Sequence, residues 1–437
     1  MTYSMTQPAE LAVAGGTPIR PSTRRWPTWP IPAPEAESLL REVLHSGRWA
    51  ITSPEGSELF ERRFAREFAR YLGVRHCVPV DHGSSALVVA MEVLDLQYGD
   101  VVLVPALTWT ACATAALRAG LVPLLVDVDP DSGCVTPEFL DQDVEARALV
   151  AVHWACTMAD VPALTAAAEP RGMVVIEDAA QAHGGEWRGR QAGSMGRLGC
   201  FSFQNGKPLT AGEGGAVVTD DPTLAPRLEE LRADSRRYRG TSAPPGDLDL
   251  EESATIQGAN HCMSEFNAAV LCAQLAVLDR EGEVRSRNWR RLRELLAGVP
   301  GVRLLEPRPE QTRMSMYEAT IVFDELPGAM TIEEVAGALS AELGRRFYAT
   351  DTPLHRSPLL APWTKPTLAP LAKRFVDLHA GRSYPNADYW ANHCVQTHHS
   401  AFLGDERDMR DIADAIAKIV TARGPVVEGQ ASAHGLG

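Results

Sequence analysis

The chain has 437 residues, of which 45% are hydrophobic, and a formal net charge of −14 at pH 7. This length allows one large core and a smaller second domain. The acidic balance argues against nucleic acid or an anionic membrane surface as a partner. No apolar run approaches the length of a membrane span. The N-terminal segment MTYSMTQPAELAVAGG lacks the basic and apolar regions of a signal peptide, so we expect a cytoplasmic protein.

Cysteines and histidines give no sign of a metal site. The eight cysteines are scattered and form no C-x-x-C pair, which argues against a zinc or redox motif. Several of them lie in apolar runs and are predicted to be buried thiols of a cytosolic protein. The pair His398-His399 has no third ligand at a recognisable spacing, so we predict no metal there.

Apolar runs alternate with helical stretches, which predicts a mainly parallel sheet with helices on both faces. The predicted strands lie at 76–80, 101–105, 122–128, 148–153, 173–177, 198–203 and 215–219. Between 199 and 219 there is too little room for a helical crossover, so a tight reversal predicts one antiparallel strand in a mixed sheet. A long helix over 274–293 leads to a second domain with a strand near 319–323 and helices near 332–343 and 408–422.

Two turns that follow predicted strands carry candidate ligand-binding residues. A His-Gly-Ser-Ser turn ending in Ser84 and Ser85 opens a long apolar helix, and the amides and hydroxyls of such a helix start bind anions. Ordinary N-capping by serine is the alternative, and it is the more common outcome for an isolated turn of this kind. Trp109 stands in the next turn, where it can stack on a flat cofactor ring or simply close the edge of the core.

The segment MVVIEDAAQAHG ends a buried strand in Glu177 and Asp178. Open α/β sheets bind ligands at the carboxyl ends of their strands. A carboxylate there can pair with the pyridinium nitrogen of pyridoxal 5'-phosphate (PLP), although capping of a following helix is a common alternative role for Asp178. Gln181 can reach back toward the same ligand, although exposure on a helix is the default for such a residue.

Lys207 lies in the glycine-rich segment FSFQNGKPLTAGEGG, and the only other lysines are Lys365, Lys373 and Lys418. Arginine supplies positive charge elsewhere, but a guanidinium cannot lose its proton and attack a carbonyl. An amine in this loop is therefore a candidate for the covalent link to PLP. Alone, a surface lysine would be the simpler interpretation. The order of anion-binding turn, aromatic residue, strand-end aspartate and lysine favours the cofactor site.

In this order the motifs resemble those of the DegT/StrS family of PLP-dependent sugar aminotransferases, over about 16–423. The resemblance implies the α/β fold of fold-type I enzymes: a large domain with a mostly parallel mixed sheet and a smaller C-terminal α+β domain. It implies that Lys207 binds the cofactor covalently and moves the proton during transamination. It also implies that Asp178 faces the pyridine nitrogen and that Gln181 faces the ring hydroxyl.

The same resemblance implies roles for the remaining candidate residues. Trp109 would stack on the ring, and Ser84, Ser85 and Ser202 would hold the phosphate. Asn260, in GANHCMSEFNAAV, matches the asparagine that reaches the phosphate of the neighbouring subunit's cofactor. The resemblance therefore implies a homodimer with shared active sites.

The chain departs from the family pattern at Cys262, where many members have arginine. The segments RWAITSPEGSELFERRFA, LRADSRRY, IQGANHCMSEF and PLHRSPLLAPWTK resemble the subgroup that acts on cyclitol ketones in aminoglycoside antibiotic biosynthesis. That implies L-glutamine as donor and a ketone of the 2-deoxy-scyllo-inosose or scyllo-inosose type as acceptor. The string FSFQNGK also occurs in 3-amino-5-hydroxybenzoate synthases, so it leaves the acceptor open.

Three other functions remain open on the sequence, and one of them is that of an enzyme like the 3-amino-5-hydroxybenzoate synthases. A nucleotide-diphospho-4-keto-sugar aminotransferase would need a groove for a diphosphate, and no dedicated basic motif for one is present. A catalytically silent partner subunit with the same fold would be expected to lack the lysine, and Lys207 is present.

The predicted domains are an N-terminal arm at 1–30, a large PLP-binding domain at 31–275, a small C-terminal domain at 276–423 and a disordered tail at 424–437.

Overall fold

The computed structural model describes residues 10–51, 59–239 and 247–422. The predicted tail at 424–437 lies outside the described residues. Within them the chain forms sixteen strands: β1 His76–Val80, β2 Val101–Pro105, β3 Val122–Val126, β4 Ala146–Val152, β5 Val174–Asp178, β6 Glu186–Trp187, β7 Arg190–Gln191, β8 Leu198–Ser202, β9 Gly215–Thr219, β10 Arg236–Tyr238, β11 Leu250–Glu252, β12 Val302–Leu304, β13 Gln311–Arg313, β14 Glu318–Phe323, β15 Tyr348–Ala349 and β16 Cys394–His398.

Twelve α-helices connect and cover these strands in the described part of the chain. In chain order they are α1 Ala36–Ser46, α2 Phe60–Leu72, α3 Gly83–Glu92, α4 Ala111–Arg118, α5 Val161–Ala168, α6 Leu224–Arg232, α7 Glu265–Leu275, α8 Leu278–Leu296, α9 Ile332–Leu343, α10 Ala369–His379, α11 Pro385–His393 and α12 Glu406–Thr421. None of the helices in the described ranges combines the length and the apolar character needed to cross a membrane.

Seven strands form the main sheet, in the order β1-β9-β8-β5-β4-β2-β3. The neighbours from β8 through β3 pair in parallel, whereas β9 runs antiparallel to both β8 and β1. This confirms the predicted mixed sheet with one reversed strand. Every residue of β2 and β3 is buried, as expected where helices cover both faces. The carboxyl ends of β1, β2, β5 and β8 therefore meet at one edge.

The single helix predicted over 274–293 is wrong at its start. The first helix, α7, ends at Leu275, and α8 begins at Leu278. The two helices have different neighbours: α7 packs against α1 and α2, whereas α8 packs against α12. The residues between them, Ala276 and Val277, are neither glycine nor proline, so no local signal in the sequence marks the break.

A second, antiparallel sheet has the order β12-β14-β16-β15, and α8, α9 and α12 cover it. Its hydrophobic core includes Trp289, Leu339 and Ile416. Leu11, from the predicted arm, joins this core, whereas Trp390 packs in the core of the seven-stranded sheet. The predicted domain limits remain predictions.

The reversed strand β9 approaches the turn before α3 very closely. A Cβ atom on Gly215 would lie 2.4 Å from the carbonyl oxygen of His82 and 2.8 Å from the amide nitrogen of Gly83. Both of these are backbone atoms, which cannot turn aside as a flexible side chain can. Only glycine therefore fits at this point without moving the turn away from the sheet edge.

We expect Gly215→Ala to lower the free energy of unfolding by about 1–3 kcal/mol, because the added methyl group overpacks the contact with the turn. Gly337→Ala is the matched control, since a Cβ there meets nothing within 4 Å in helix α9. It should raise the stability by up to about 1 kcal/mol. Urea denaturation of both variants measures the difference. Equal midpoints for the two variants would contradict the close approach.

Candidate active site

The main cavity at the carboxyl edge of the seven-stranded sheet has a volume of about 460 Å³. All the predicted site residues except Asn260 line it, and they come from four different strand ends. They are Ser84, Ser85, Trp109, Asp178, Gln181, Ser202 and Lys207.

One wall of the cavity is the amino terminus of α3. The N-cap residue His82 makes no side-chain capping bond, and Ser84 and Ser85 lie within the first turn, so the alternative of serine capping does not apply. Ser202, at the end of β8, abuts this turn: a Cβ atom on Gly83 would lie 2.9 Å from the Ser202 hydroxyl oxygen. First-turn amides without a side-chain cap and three nearby serine hydroxyls suit a phosphate group.

Asp178 is held from two sides in the floor of the cavity. Its Oδ2 accepts a hydrogen bond from the Cys112 thiol at 3.1 Å, and its Oδ1 accepts one from the Ala180 amide at 3.0 Å. The side chain is almost fully buried. The residues that follow form turns and no helix, so the predicted alternative of a helix cap does not apply. Its carboxylate is thus oriented within a cavity that can receive a ring nitrogen.

The preceding residue, Glu177, serves the fold. It is fully buried on the opposite face of β5 and accepts bonds from His153 Nε2 at 2.8 Å and from the amides of Gly193, Met195 and Gly196. Burial raises the pKa of Glu177, but its histidine and amide partners outweigh this, so the pKa lies below its ordinary value. The alternation of side chains along the strand thus separates the two adjacent carboxylates.

Gln181 and Trp109 approach the cavity in different ways. The Gln181 carbonyl oxygen accepts a bond from the Ala155 amide at 2.7 Å, which leaves the amide nitrogen as the donor end of the side chain. Trp109 lies in the turn before α4, lines the cavity and is 52% exposed. A donor and an accessible aromatic side chain both suit a planar cofactor ring.

Lys207 lies in the loop between β8 and β9, and its Nζ is 3.7 Å from the centre of the Tyr317 ring. Desolvation lowers the pKa of Lys207 below its ordinary value, although the carboxylates of Glu318, Asp178 and Asp351 act in the opposite direction. A lowered pKa favours the neutral amine, which is the form that attacks a carbonyl carbon.

Sequence reasoning missed several residues around the lysine. Tyr317 and Asp351 line the cavity from the second sheet, where they lie at the start of β14 and just after β15. Glu318 is half-buried beside them and accepts a bond from the Tyr348 hydroxyl at 2.5 Å. Burial raises the pKa of Glu318 to about 7. The available signal was a polar pair directly before the apolar run at 319–323. Cys112 was counted only as a buried thiol.

Asn260 lies outside the cavity. Its side chain is exposed, and its Oδ1 accepts a bond from the Cys262 amide at 3.2 Å. Its predicted contact with a neighbouring subunit's cofactor remains a prediction. Among the described residues there is no group of three or more histidine, cysteine, aspartate or glutamate side chains placed to hold a metal ion.

The fold and the arrangement of this cavity define a class of protein, the PLP-dependent aminotransferases. The defining pattern of the DegT/DnrJ/EryC1/StrS aminotransferase family matches residues 33–417, and the chain belongs to that family. This confirms the resemblance seen in the motifs, the fold class and the cofactor. The substrates of such an enzyme are small molecules.

Two relatives show how far the similarity extends. The chain is 43% identical to the L-glutamine:2-deoxy-scyllo-inosose aminotransferase of Micromonospora echinospora, over 94% of this chain and 97% of the relative. It is 38% identical to the L-glutamine:scyllo-inosose aminotransferase of Streptomyces griseus, over 94% and 98%. The crystal structure of 3-amino-5-hydroxybenzoic acid synthase superposes with a TM-score of 0.75 at 31% identity, covering 91% of this chain and 98% of that one.

We expect Lys207 to carry PLP covalently. Borohydride reduction of the holoenzyme should attach the cofactor to the peptide that contains Lys207, as read by mass spectrometry. Lys207→Ala should still bind PLP but lose at least about 10²–10⁴-fold in turnover, because the same amine moves the proton. Lys365→Ala is the control and should behave as wild type. Attachment at Lys365 or Lys373 would refute the assignment.

We expect Asp178→Asn to fold yet to lose most activity, because an amide cannot keep a proton on the ring nitrogen. The two side chains are nearly isosteric, so stability should change by no more than about 1–2 kcal/mol. Glu177→Gln should show the opposite pattern, with a larger loss of stability from its buried hydrogen bonds. Turnover and thermal unfolding of both variants test this. Near-native activity of Asp178→Asn would exclude the role at the ring nitrogen.

Proposed function

We propose that this enzyme transfers the amino group of L-glutamine to a cyclitol ketone of the 2-deoxy-scyllo-inosose or scyllo-inosose type, in aminoglycoside antibiotic biosynthesis. Two relatives that are named for these reactions support this, because the similarity to each extends over nearly the whole chain. The shape of the site supports transamination, since a cofactor cavity, a lysine amine with a lowered pKa and a strand-end carboxylate lie together. The observation that carries the choice of acceptor is the charge of the cavity.

Carboxylates outnumber cations among the described residues that line the cavity. The charged lining residues are Arg118, Lys207, Asp178, Glu213 and Asp351. Apart from Lys207, Arg118 is the one cation among the described lining residues, whereas a diphosphate carries at least two negative charges to be paired. A polyhydroxylated cyclic ketone is neutral, and its hydroxyl groups can donate hydrogen bonds to carboxylates. The cavity thus favours a cyclitol over a nucleotide-linked keto sugar.

In this proposal the groups around the cavity hold the cofactor in one orientation. Ser84, Ser85, Ser202 and the first amides of α3 would bind the phosphate. Asp178 would keep the ring nitrogen protonated, and Gln181 would donate to the ring hydroxyl. PLP, when bound, withdraws electrons from the reacting carbon of the substrate, so that this carbon can lose and regain a proton.

Lys207 transfers the protons, and residues of the second sheet on one side of the cavity fix its position. The Lys207 amine takes the proton from the α-carbon of the donor and, in the second half-reaction, delivers a proton to the former ketone carbon. The ring of Tyr317 lies against Nζ and restricts its position. Trp109 would stack on the ring and exclude water from it.

We further propose a homodimer in the cytoplasm, with each site completed by Asn260 of the partner subunit. The exposed position of Asn260, outside its own chain's cavity, supports a contact with a second chain. All eight cysteines are free thiols, which fits a reducing compartment.

A panel of acceptors with L-glutamine as donor tests the substrate. It comprises 2-deoxy-scyllo-inosose, scyllo-inosose, the 3-amino ketone derived from it and a keto-hexose nucleotide, with products identified by mass spectrometry. We expect amination of the cyclitol ketones and no turnover of the nucleotide. The Lys207→Ala variant supplies the background for each acceptor. Turnover of the nucleotide sugar alone would overturn the proposal.

Mixed dimers test the shared site. Lys207→Ala subunits are combined with Asn260→Ala subunits, each preparation being inactive or weakened by itself. If sites are shared, half of the sites in a mixed dimer carry both defects and half carry neither, so activity should recover on mixing. If Asn260 serves its own chain, every mixed site keeps a defect and no recovery occurs. A fully active monomer would also exclude the shared site.

A further inference from the structure

Two histidines from the end of the second sheet meet the backbone directly before the lysine. His398 Nε2 lies 2.9 Å and His399 Nε2 lies 3.2 Å from the carbonyl oxygen of Gly206. A carbonyl oxygen has two lone pairs and can accept both bonds at once. The histidines are nearly two hundred residues away in the chain, so only the packing of the two sheets brings them here.

The other nitrogen of each ring determines where its proton lies. His398 Nδ1 accepts from the Ser400 amide at 3.3 Å, and His399 Nδ1 accepts from Arg285 Nε at 3.1 Å. A neutral imidazole whose Nδ1 accepts carries its proton on Nε2. Both rings therefore donate to Gly206.

Both rings stay neutral at the pH at which enzymes work. Burial lowers the pKa of His398 to about 4 and that of His399 well below its ordinary value, and the Arg285 guanidinium lowers both further. Protonation of His399 would also set its Nδ1–H against the Arg285 donor. The two donors are thus permanent features of the folded chain and not a pH switch.

A third side chain holds the same loop from the predicted arm. Trp29 Nε1 donates to the carbonyl oxygen of Asn205 at 2.7 Å, and the Trp29 ring meets the His399 ring edge-on at 4.5 Å. Two successive carbonyls of the lysine loop are therefore bound by side chains that belong to neither the loop nor the seven-stranded sheet.

We propose that His398 and His399 are positioning residues that orient Lys207 for proton transfer by fixing the Gly206 carbonyl. The proposal rests on the role of Lys207 proposed above. Gly206 has no side chain, so its backbone has more freedom than that of any other residue. The plane of the peptide that joins it to Lys207 sets the direction in which the long lysine side chain leaves the backbone. Two donors on one carbonyl remove the rotation of that plane.

Asparagine and glutamine variants at each histidine form a matched pair. The amide nitrogen of glutamine reaches about as far as Nε2 and can still donate to Gly206, whereas the shorter asparagine reaches only about as far as Nδ1. We expect His398→Asn and His399→Asn to slow the single-turnover half-reaction with L-glutamine, with a loss approaching about 10²-fold in the double variant, at an unchanged KM. The glutamine variants should recover most of the rate.

A second measurement reports position without turnover. Hydrogen exchange followed by mass spectrometry should show faster exchange in the peptide around 203–211 in the asparagine variants, while the strands of the main sheet exchange as in wild type. In the holoenzyme, the pH midpoint of the absorbance change of the lysine-bound cofactor should shift in the asparagine variants and return in the glutamine variants.

Two results would overturn the proposal. One is a native rate and native exchange in the double asparagine variant. The other is an equal loss in the asparagine and glutamine variants, which would mean that the rings act by packing and not as donors. If a variant does not fold at the assay temperature, the single variants at the other histidine decide. Failure of this idea leaves amination of the cyclitol ketones by the wild-type enzyme intact, whereas failure of the proposed function appears as no turnover of those ketones in the acceptor panel.

Discussion

The site depends on one electrostatic balance: the Lys207 amine must be neutral although carboxylates surround it. Desolvation lowers its pKa, and Glu318, Asp178 and Asp351 oppose that effect. Desolvation is the largest of these effects, so the pKa of Lys207 lies below its ordinary value. With a pKa of about 7, Glu318 is only partly ionised near neutral pH, which weakens its hold on a lysine proton. The other residues of the site determine how strongly the Lys207 amine is desolvated and which charges surround it.

Both sheets supply residues that surround the Lys207 amine. The seven-stranded sheet supplies the end of α3 and the strand-end residues Asp178 and Ser202, all at the edge where parallel strands finish. The second sheet supplies groups from the ends of three adjacent strands: Tyr317 and Glu318 at β14, Asp351 after β15, and the two histidines at β16. The lysine loop thus lies between two rigid surfaces, one that receives the cofactor and one that sets the position and charge of the amine.

The seven-stranded sheet was predictable because strands buried on both faces leave continuous apolar runs. The strands at 76–80, 101–105 and 215–219 have the predicted bounds, and the lack of space after β8 already required the reversed strand. Seven candidate site residues meet in one cavity because each follows a strand, and the ends of parallel strands share an edge. Local patterns failed at the break between α7 and α8, because no glycine or proline separates the two helices.

By itself, the sequence determined the fold class, the family and the order of the cofactor-binding motifs, because buried strands, glycine turns and a rare lysine leave local patterns. Only the tertiary structure showed that Glu177 serves the fold on the other face of β5 while Asp178 lines the cavity, since that depends on the face of the strand that the cavity occupies. Only it brought Cys112 to Asp178 and His398 and His399 to Gly206. Such contacts join residues far apart in the chain, and no local pattern encodes a distance between two packed sheets.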